Sequence, residues 1–459
     1  MKSILETINA VVWNGPVLLL ILITGIVLSV KSKLSQITLL PEAIHSFINN
    51  LNVKKQHKWG ISGHRALWTA LAATVGTGNI AGVAGAIALG GPGVVFWMWI
   101  CALLGMVTKF AEVTLAVHYR TRDYRGKYTG GPMYMIQNGL PSKYHFLSYI
   151  YCFFGAVASF GIGNAAQINA VTDGIRSIAN SFHITLGITE RLLLGILFAA
   201  LIFIACRNGV SSIGNWAEIM VPVASFIYIA LSIVVLVMRR NHIPNALMEI
   251  INGAFAPQAI TGGVLSSIFL TIRLGVSRGI FTNEAGMGTA SIAHASAEVN
   301  HPVEQGMMGI IEVFLDTVVI CTLTALVILC SNIHIPYGTD PGISLTLNAF
   351  SVTCGEWSRV LLTLLVCIFA FATVLGWGLY GGKCVQYIFG EHVWNRYICC
   401  QAVVVVFGTV VNTSFVWTIS EIVNGLMAIP NLIAIIFLMP VFVKLLNEYE
   451  NIKKAYSSF

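Results

Sequence analysis

The stretch Thr69–Ala84 reads TALAATVGTGNIAGVA, an apolar helical pattern broken in its middle by Gly76, Thr77, Gly78 and Asn79. Glycine weakens a helix by roughly 1 kcal/mol relative to alanine, so two of them beside a β-branched residue and an asparagine predict local unwinding. In water such a break would be a loop. Within a bilayer, unwound backbone is tolerated only where protein buries it or where it lines a cavity, because no water replaces the lost hydrogen bonds. The amides and carbonyls freed there become ligands, which is how broken helices hold ions and small polar molecules near the membrane midplane. The rest of the chain reads as scaffolding for this break.

Composition sets the class. Hydrophobic residues are 56% of 459 and charged residues 10%, with a mean hydropathy of +0.80, against about 25% charged in soluble domains. The expectation is an all-α polytopic membrane protein in which residues 1–459 form a single membrane domain. Cys101, Cys152, Cys206, Cys321, Cys330 and Cys367 lie in apolar runs without CxxC spacing, which reads as packing rather than metal or disulfide chemistry. The net charge of +7 is scattered through short loops, a pattern of membrane orientation and not of nucleic-acid binding.

Eleven apolar segments of spanning length follow one another: 8–30, 66–88, 93–118, 145–171, 191–206, 215–238, 246–272, 306–331, 358–382, 398–419 and 421–444. With the N-terminus outside, nineteen of the 26 Lys and Arg residues fall in inside loops and six outside, with Lys109 inside a span. The positive-inside rule therefore puts the N-terminus out and the C-terminus in. Setting 8–30 aside as an extra first span leaves two sets of five, 66–238 and 246–444, with 445–459 a short cytoplasmic tail. An odd set length makes the second set begin on the opposite side, so two equivalent fives would be an inverted repeat. Span two breaks at Gly76–Asn79, and span seven carries Pro257, Gly262 and Gly263, a second candidate break beside the alternative of an ordinary proline kink.

The runs GTGNIAGVAGAIALGGPGVVFWMW (76–99), GMVTKFAE (105–112), GGPMYMIQNGL (130–140), RGIFTNEAGMGTASIAHA (278–295) and HPVEQG (301–306) closely resemble the alanine or glycine:cation symporter family. Its members are prokaryotic sodium-coupled carriers of small neutral amino acids, and their spans two to eleven resemble the five-plus-five inverted repeat of the bacterial leucine transporter. The resemblance implies Na⁺ as coupling ion with no other cofactor, alanine, glycine or serine as substrate, residence in the prokaryotic cytoplasmic membrane, and a carrier acting as a monomer. Alignment of VGTGN with the leucine transporter's VGLGN further implies that the carbonyls of Ala72 and Val75 bind sodium. It also implies that the Thr74 carbonyl meets the substrate ammonium and that the Thr77 and Gly78 amides meet its carboxylate.

The chemistry agrees with that assignment. A zwitterion carries a carboxylate and an ammonium a few ångströms apart, and either one buried unpaired costs several kcal/mol. The positive end of a half-helix dipole with bare amides suits the carboxylate; bare carbonyls at the preceding half-helix's end suit a cation. Asn79 is either a ligand or a clamp on the break, and holding the break alone would account for the same residue types. In span nine, Thr373, Trp377 and Gly381 share one helical face. By position in the repeat that helix faces the break, which makes Phe369 and Ala372 carbonyls and the Thr373 hydroxyl sodium candidates. Trp377 either caps a pocket sized for a methyl or hydrogen, or packs. Gln167 and Asn164 are amides in an apolar helix, substrate contacts or interhelical links.

Charges inside spans are functional candidates by default. Lys109 and Glu112 lie three apart on span three, which predicts a helical pair. Glu218 lies in span six. Asp316 in span eight reads as a proton or sodium site, or equally as a hydrogen-bonding partner for a neighbouring helix. Arg278, Asn283 and Glu284, with Gly286 and Gly288, fall by this segmentation in the inside loop after span seven and read as an inner gate or lock. Proton coupling through Asp316 or Glu112 is the competing mechanism. An enzyme is not expected: no nucleophile with a base, HExxH or phosphate loop occurs.

Overall fold

The computed structural model describes residues 2–13, 15–49, 59–181, 183–255, 268–411 and 413–457. The opening helices are α1 (Lys2–Trp13), α2 (Pro16–Lys31), α3 (Ser35–Thr38) and α4 (Leu40–Asn49). The first five-span stretch holds α5 (Gly63–Thr74), α6 (Ala81–Gly90), α7 (Val94–His118), α8 (Pro132–Gly139), α9 (Phe146–Phe160), α10 (Ala166–Ser181), α11 (Ile188–Cys206) and α12 (Val210–Met238). Then come α13 (Ile243–Phe255), α14 (Ile268–Asn283), α15 (Thr289–His294), α16 (Pro302–Val313), α17 (Thr322–Cys330), α18 (Ser344–Cys354), α19 (Glu356–Phe389), α20 (Trp394–Gly408) and α21 (Thr413–Ser457). Strands are confined to a two-residue hairpin, Thr121–Arg122 with Tyr128–Thr129, among the described residues.

Among the described residues, eight helical segments are long and apolar enough to cross a membrane, nine when the bent pair α5 and α6 is one span. They coincide with nine of the eleven expected segments. Of the other two, the seventh has its middle, with Pro257, Gly262 and Gly263, outside the described residues. The tenth departs from its expected 398–419: α20 is 15 residues long and stops at Gly408, residues 409–411 turn, and α21 begins at Thr413 rather than 421. Fifteen residues rise only about 22 Å. Threonine and valine at 409–411 are as apolar as the helix before them, so hydropathy did not mark the end.

The expected tail, 445–459, is helical as far as residue 457. It continues α21, and Tyr449 and Lys453 both reach the Glu42 carboxylate on α4 at 3.1 and 2.6 Å. Arg273 and Arg278 also move: both lie within α14, whose Gly275 and Gly279 abut Trp97 and Cys101 of α7. Removing them from the inside set leaves seventeen against six, so the asymmetry survives.

Close helix contact is built from glycine. A Cβ on Gly309 of α16 would stand 3.0 Å from Lys109 Cγ, and one on Gly306 would stand 2.7 Å from the Phe110 ring, so α16 lies directly on α7. Small residues are the membrane solution to helix association, where apolar burial gives no net drive against lipid tails. At the other face, Gly376 of α19 admits Ala73 of α5, with 2.7 Å between the would-be Cβ and the Ala73 Cβ. The packing thus brings α19 onto the end of α5, where the chain breaks.

Candidate functional site

Helix α5 ends at Thr74 because the next amides turn elsewhere. Val75 is extended (ψ 99°). The Gly76 amide, which would close a turn on the Ala72 carbonyl, donates to Asn79 Oδ1 at 2.9 Å. The Thr77 amide, due to bond Ala73, points to Gln167 Oε1 at 3.4 Å, and the Thr77 hydroxyl donates to the same oxygen at 2.8 Å. Residues 77–79 form a single 3₁₀ turn, and the two halves of the span meet at a 58° bend. Ala72 and Ala73 carbonyls thereby lose their helical donors. Thr77, Gly78, Asn79 and Gln167 are all buried.

Asn79 is the clamp. Its oxygen holds the Gly76 amide, while its nitrogen donates to Asp316 Oδ1 at 2.6 Å and to the Asp316 carbonyl at 3.2 Å. That carbonyl is available because residues Phe314–Cys321 form a π-helical segment between α16 and α17, and π-bulges shift carbonyls out of the regular ladder. A second π segment, Gly161–Ala165, lies between α9 and α10, where the Gln167 amide donates to the Ile162 carbonyl at 3.1 Å. Gln167 is therefore oriented at one end and reaches the break with the other. Asn164 faces away, donating to the Gln401 carbonyl on α20 at 2.8 Å.

Helix α19 supplies the opposite wall. Thr373 meets Gly76 so closely that a Cβ there would stand 2.5 Å from Thr373 Oγ1. The hydroxyl donates to the Phe369 carbonyl one turn back at 2.9 Å, so Thr373 beside Gly76 and Gly376 beside Ala73 are the α19 residues seen against the end of α5. One turn on, Trp377 packs on Gly163, with 2.2 Å between a would-be Cβ and its own Cβ, and Gly381 lies against Ser159 and Tyr397. The face read as one stripe is thus divided: Thr373 touches the break, whereas Trp377 and Gly381 lie along the fourth span.

Sequence placed Arg278, Asn283 and Glu284 in an inside loop; the structure corrects this. Arg278 and Asn283 belong to α14, and Arg278 pairs with Glu421 of α21 at 3.3 Å, beside Asn9 and Trp13. Asn283 and Glu284 are buried at 0% and 1% exposure. They open a second break, residues 284–288, before α15 resumes. Glu284 (φ 54°), Gly286 (φ 88°) and Gly288 (φ 76°) all take left-handed backbone, costly for a non-glycine residue and a mark of functional sites. The apolar run of span seven ends near 272, while α14 continues eleven residues further.

The two breaks face one another. A Cβ on Gly78 would stand 3.3 Å from Thr282 Cγ2 and 3.7 Å from the Phe281 ring. Thr317 links the pieces, its hydroxyl donating to Asp316 Oδ2 at 2.8 Å, accepting from Asn283 at 3.1 Å and lying 3.4 Å from Thr282 Oγ1. Phe281, Thr282 and Thr317 escaped the sequence reading. The signal was present in Gly286-x-Gly288, which repeats the spacing of Gly76-x-Gly78. Lys109 and Glu112, expected to pair with one another, part company: Lys109 bonds Glu312 of α16 at 3.3 Å, and Glu112 takes the Asn431 amide of α21 at 2.7 Å.

Comparisons with known proteins follow the same lines. The profile of the sodium:alanine symporter family matches residues 1–458. A sodium/alanine symporter of Methanococcus maripaludis is 40% identical, the alignment covering 98% of each chain. The amino-acid carrier protein AlsT of Bacillus subtilis is 35% identical over 87% of this chain and 83% of its own. Among solved structures, MhsT in complex with L-phenylalanine superposes with a TM-score of 0.60 over 85% of this chain and 99% of its own, at 14% identity. A nucleobase-cation-symport-1 family transporter, Mhp1, gives 0.51 over 85% and 78%, also at 14%. The latter two show likeness of fold alone.

Proposed function

Because the chain belongs to the sodium:alanine symporter family, we propose that it carries small neutral amino acids, alanine foremost, into a prokaryotic cell with sodium, by alternating access. Family membership makes it a transporter and not an enzyme. The observation that carries the reading is the first break: within one buried turn the Gly76 and Thr77 amides leave the helical ladder for side chains, so the Ala72 and Ala73 carbonyls lose their helical donors. These are complementary to the two ends of a zwitterion and to Na⁺.

In this proposal the carbonyls of Ala72, Val75, Phe369 and Ala372 and the hydroxyl of Thr373 bind sodium. Thr74 meets the ammonium, Thr77 and Gly78 the carboxylate, with Asn79 holding the break and Gln167 orienting Thr77. Trp377 bounds the side-chain pocket. Asp316, joined to Asn79, forms a second cation position. Arg278, Asn283 and Glu284 act in gating, with Asn283 and Glu284 as the hinge of the second break; Pro257, Gly262 and Gly263 remain hinge candidates of span seven. The architecture proposed is eleven spans, N-terminus outside and C-terminus inside, with an extra first helix and two inverted fives. Both the break in span two and the break after α14 support it, each preceding a short resumed helix.

At 100 mV, one Na⁺ moving inward releases about 2.3 kcal/mol, enough for roughly fiftyfold accumulation of a neutral zwitterion at one-to-one coupling. Labelled alanine uptake into proteoliposomes with an inward Na⁺ gradient tests the reading, and Thr373→Ala tests the ion site. Uptake by the wild type that ignores Na⁺ contradicts it.

A further inference from the structure

Below the two breaks lies a group of buried ionisable side chains that the site does not use: Lys109, Glu112, His294 and Glu312, each 0% exposed. Hydrogen bonding fixes the state of most of them. The Gln305 amide nitrogen donates to the Gly63 carbonyl at 3.1 Å and faces His294 Nδ1 at 2.7 Å, so Nδ1 accepts. The His294 proton is then on Nε2, donated to Glu312 Oε2 at 3.0 Å, and the imidazole is neutral. Glu312 Oε1 takes the Lys109 ammonium at 3.3 Å. Lys109 and Glu312 therefore close a neutral pair.

Glu112 is left without a cation of its own. Its donors are neutral amides alone: Oε1 accepts from the Asn431 side chain at 2.7 Å, the Gly286 backbone amide faces the same carboxyl group, and Oε2 is buried without a hydrogen bond of normal geometry. The groups facing it from the packed elements are Lys109 on its own helix, Glu312 of α16 and the Tyr151 hydroxyl of α9, and Glu284 at the second break faces the same Lys109 and Tyr151. His294 of α15 touches Glu312 rather than Glu112. Three carboxylates thus share one ammonium. A buried carboxylate with an unmet oxygen and no counter-ion costs several kcal/mol, a cost that a bound proton removes.

Asn431 ties this carboxyl to moving parts. Its second amide hydrogen donates to the Gly286 carbonyl at 2.9 Å, and its oxygen lies 2.7 Å from where a Gly288 Cβ would stand. The same side chain thus plugs the second break and holds Glu112, as Asn79 plugs the first.

We propose that Glu112 is a proton-binding site, separate from the amino-acid and sodium positions, that holds a proton while Asn431 joins it to Gly286 and releases it to the cytoplasm when the second break moves. The proposal rests on the transport reading above and adds to it. On opening, Asn431 parts from Gly286, water reaches Glu112, and its O–H bond breaks to leave a carboxylate, with the proton passing to that water. Acid on the cytoplasmic side therefore holds the carrier closed.

The test uses the purified full chain in proteoliposomes, with Na⁺-driven alanine uptake measured at fixed external pH while the lumen is set between pH 8 and 5, in vesicles oriented with the cytoplasmic face inward. Infrared difference spectra of the same protein, with Na⁺ plus alanine against choline, report a protonated carboxyl by its C=O stretch without needing turnover. Wild-type uptake is expected to fall with lumenal acid, approaching roughly tenfold per pH unit beyond the titration midpoint. Glu112→Gln, which keeps an oxygen for Asn431, is expected to flatten that profile and erase the C=O band. A profile and band unchanged in Glu112→Gln, or a wild type with neither, overturns the proton site. Absence of Na⁺-driven uptake at every pH while the Glu112-dependent band persists overturns the transport reading and leaves the proton site standing.

Discussion

Replacing Asn79 by alanine removes both halves of the clamp on the first break. The Gly76 amide, held at 2.9 Å, is left buried without an acceptor, and Asp316 Oδ1 loses a donor at 2.6 Å. An unsatisfied buried amide costs about 1–3 kcal/mol, and a hydrogen bond to a charged group contributes about 1.5–3 kcal/mol. Even the lower values together give about 2.5 kcal/mol, which at about 1.4 kcal/mol per decade is roughly sixtyfold in the population of the binding-competent break. The half-saturating Na⁺ concentration for alanine uptake should rise by about that factor in Asn79→Ala. Binding of labelled alanine to the detergent-purified protein should fall in parallel, while thermal unfolding of the purified variant reports separately on the fold. A variant that folds and keeps its Na⁺ and alanine half-saturation within threefold of wild type would refute the reasoning, because the clamp would then not set the geometry of the break.

Three other substitutions probe different contacts. Gly163→Ala drives a methyl to within 2.2 Å of Trp377 Cβ and should abolish uptake, since overpacking at a helix crossing costs about 1–3 kcal/mol and must shift α19; uptake at the wild-type rate would exclude that contact. Lys109→Met leaves Glu312 buried with only a neutral imidazole, a loss of about 3–5 kcal/mol, read as a lowered Tm, whereas Lys109→Met with Glu312→Leu should recover much of it. Gln167→Leu strips the acceptor from the Thr77 hydroxyl and should raise the KM for alanine more than it changes Tm; the reverse pattern would make Gln167 a packing link only.

The first break was legible because its signal is local. Glycine, β-branching and asparagine within four residues act on the backbone where they stand, and the broken helix lies where those residues predict it. Most spans were legible for a similar reason, since hydropathy integrates over twenty residues. The second break is hidden because the apolar run of span seven fades near 272 while α14 continues to Asn283, so Glu284–Gly288 reads as loop although it repeats the glycine spacing of the first. The π segment at 314–321 holds neither glycine nor proline to separate it from ordinary helix, and the one at 161–165 carries Gly161 and Gly163 at the spacing of the two breaks yet stays helical, so the partners they serve, Asn79 and Gln167, reveal them. Pairings between helices were least legible of all. Lys109 and Glu112 have the spacing of an intrahelical pair, yet Gly309 lets α16 approach so closely that Glu312 takes the ammonium instead.

The central claim is that the first break binds sodium and a small amino acid together. It is tested most directly by labelled alanine uptake into proteoliposomes of the purified wild-type protein, with an inward gradient of Na⁺ or of choline and, alongside, the Thr373→Ala variant under the Na⁺ gradient. The account predicts concentrative uptake with Na⁺, none with choline, and loss of Na⁺ stimulation in the variant. Equal uptake with choline, or Na⁺-driven uptake untouched by Thr373→Ala, would contradict it.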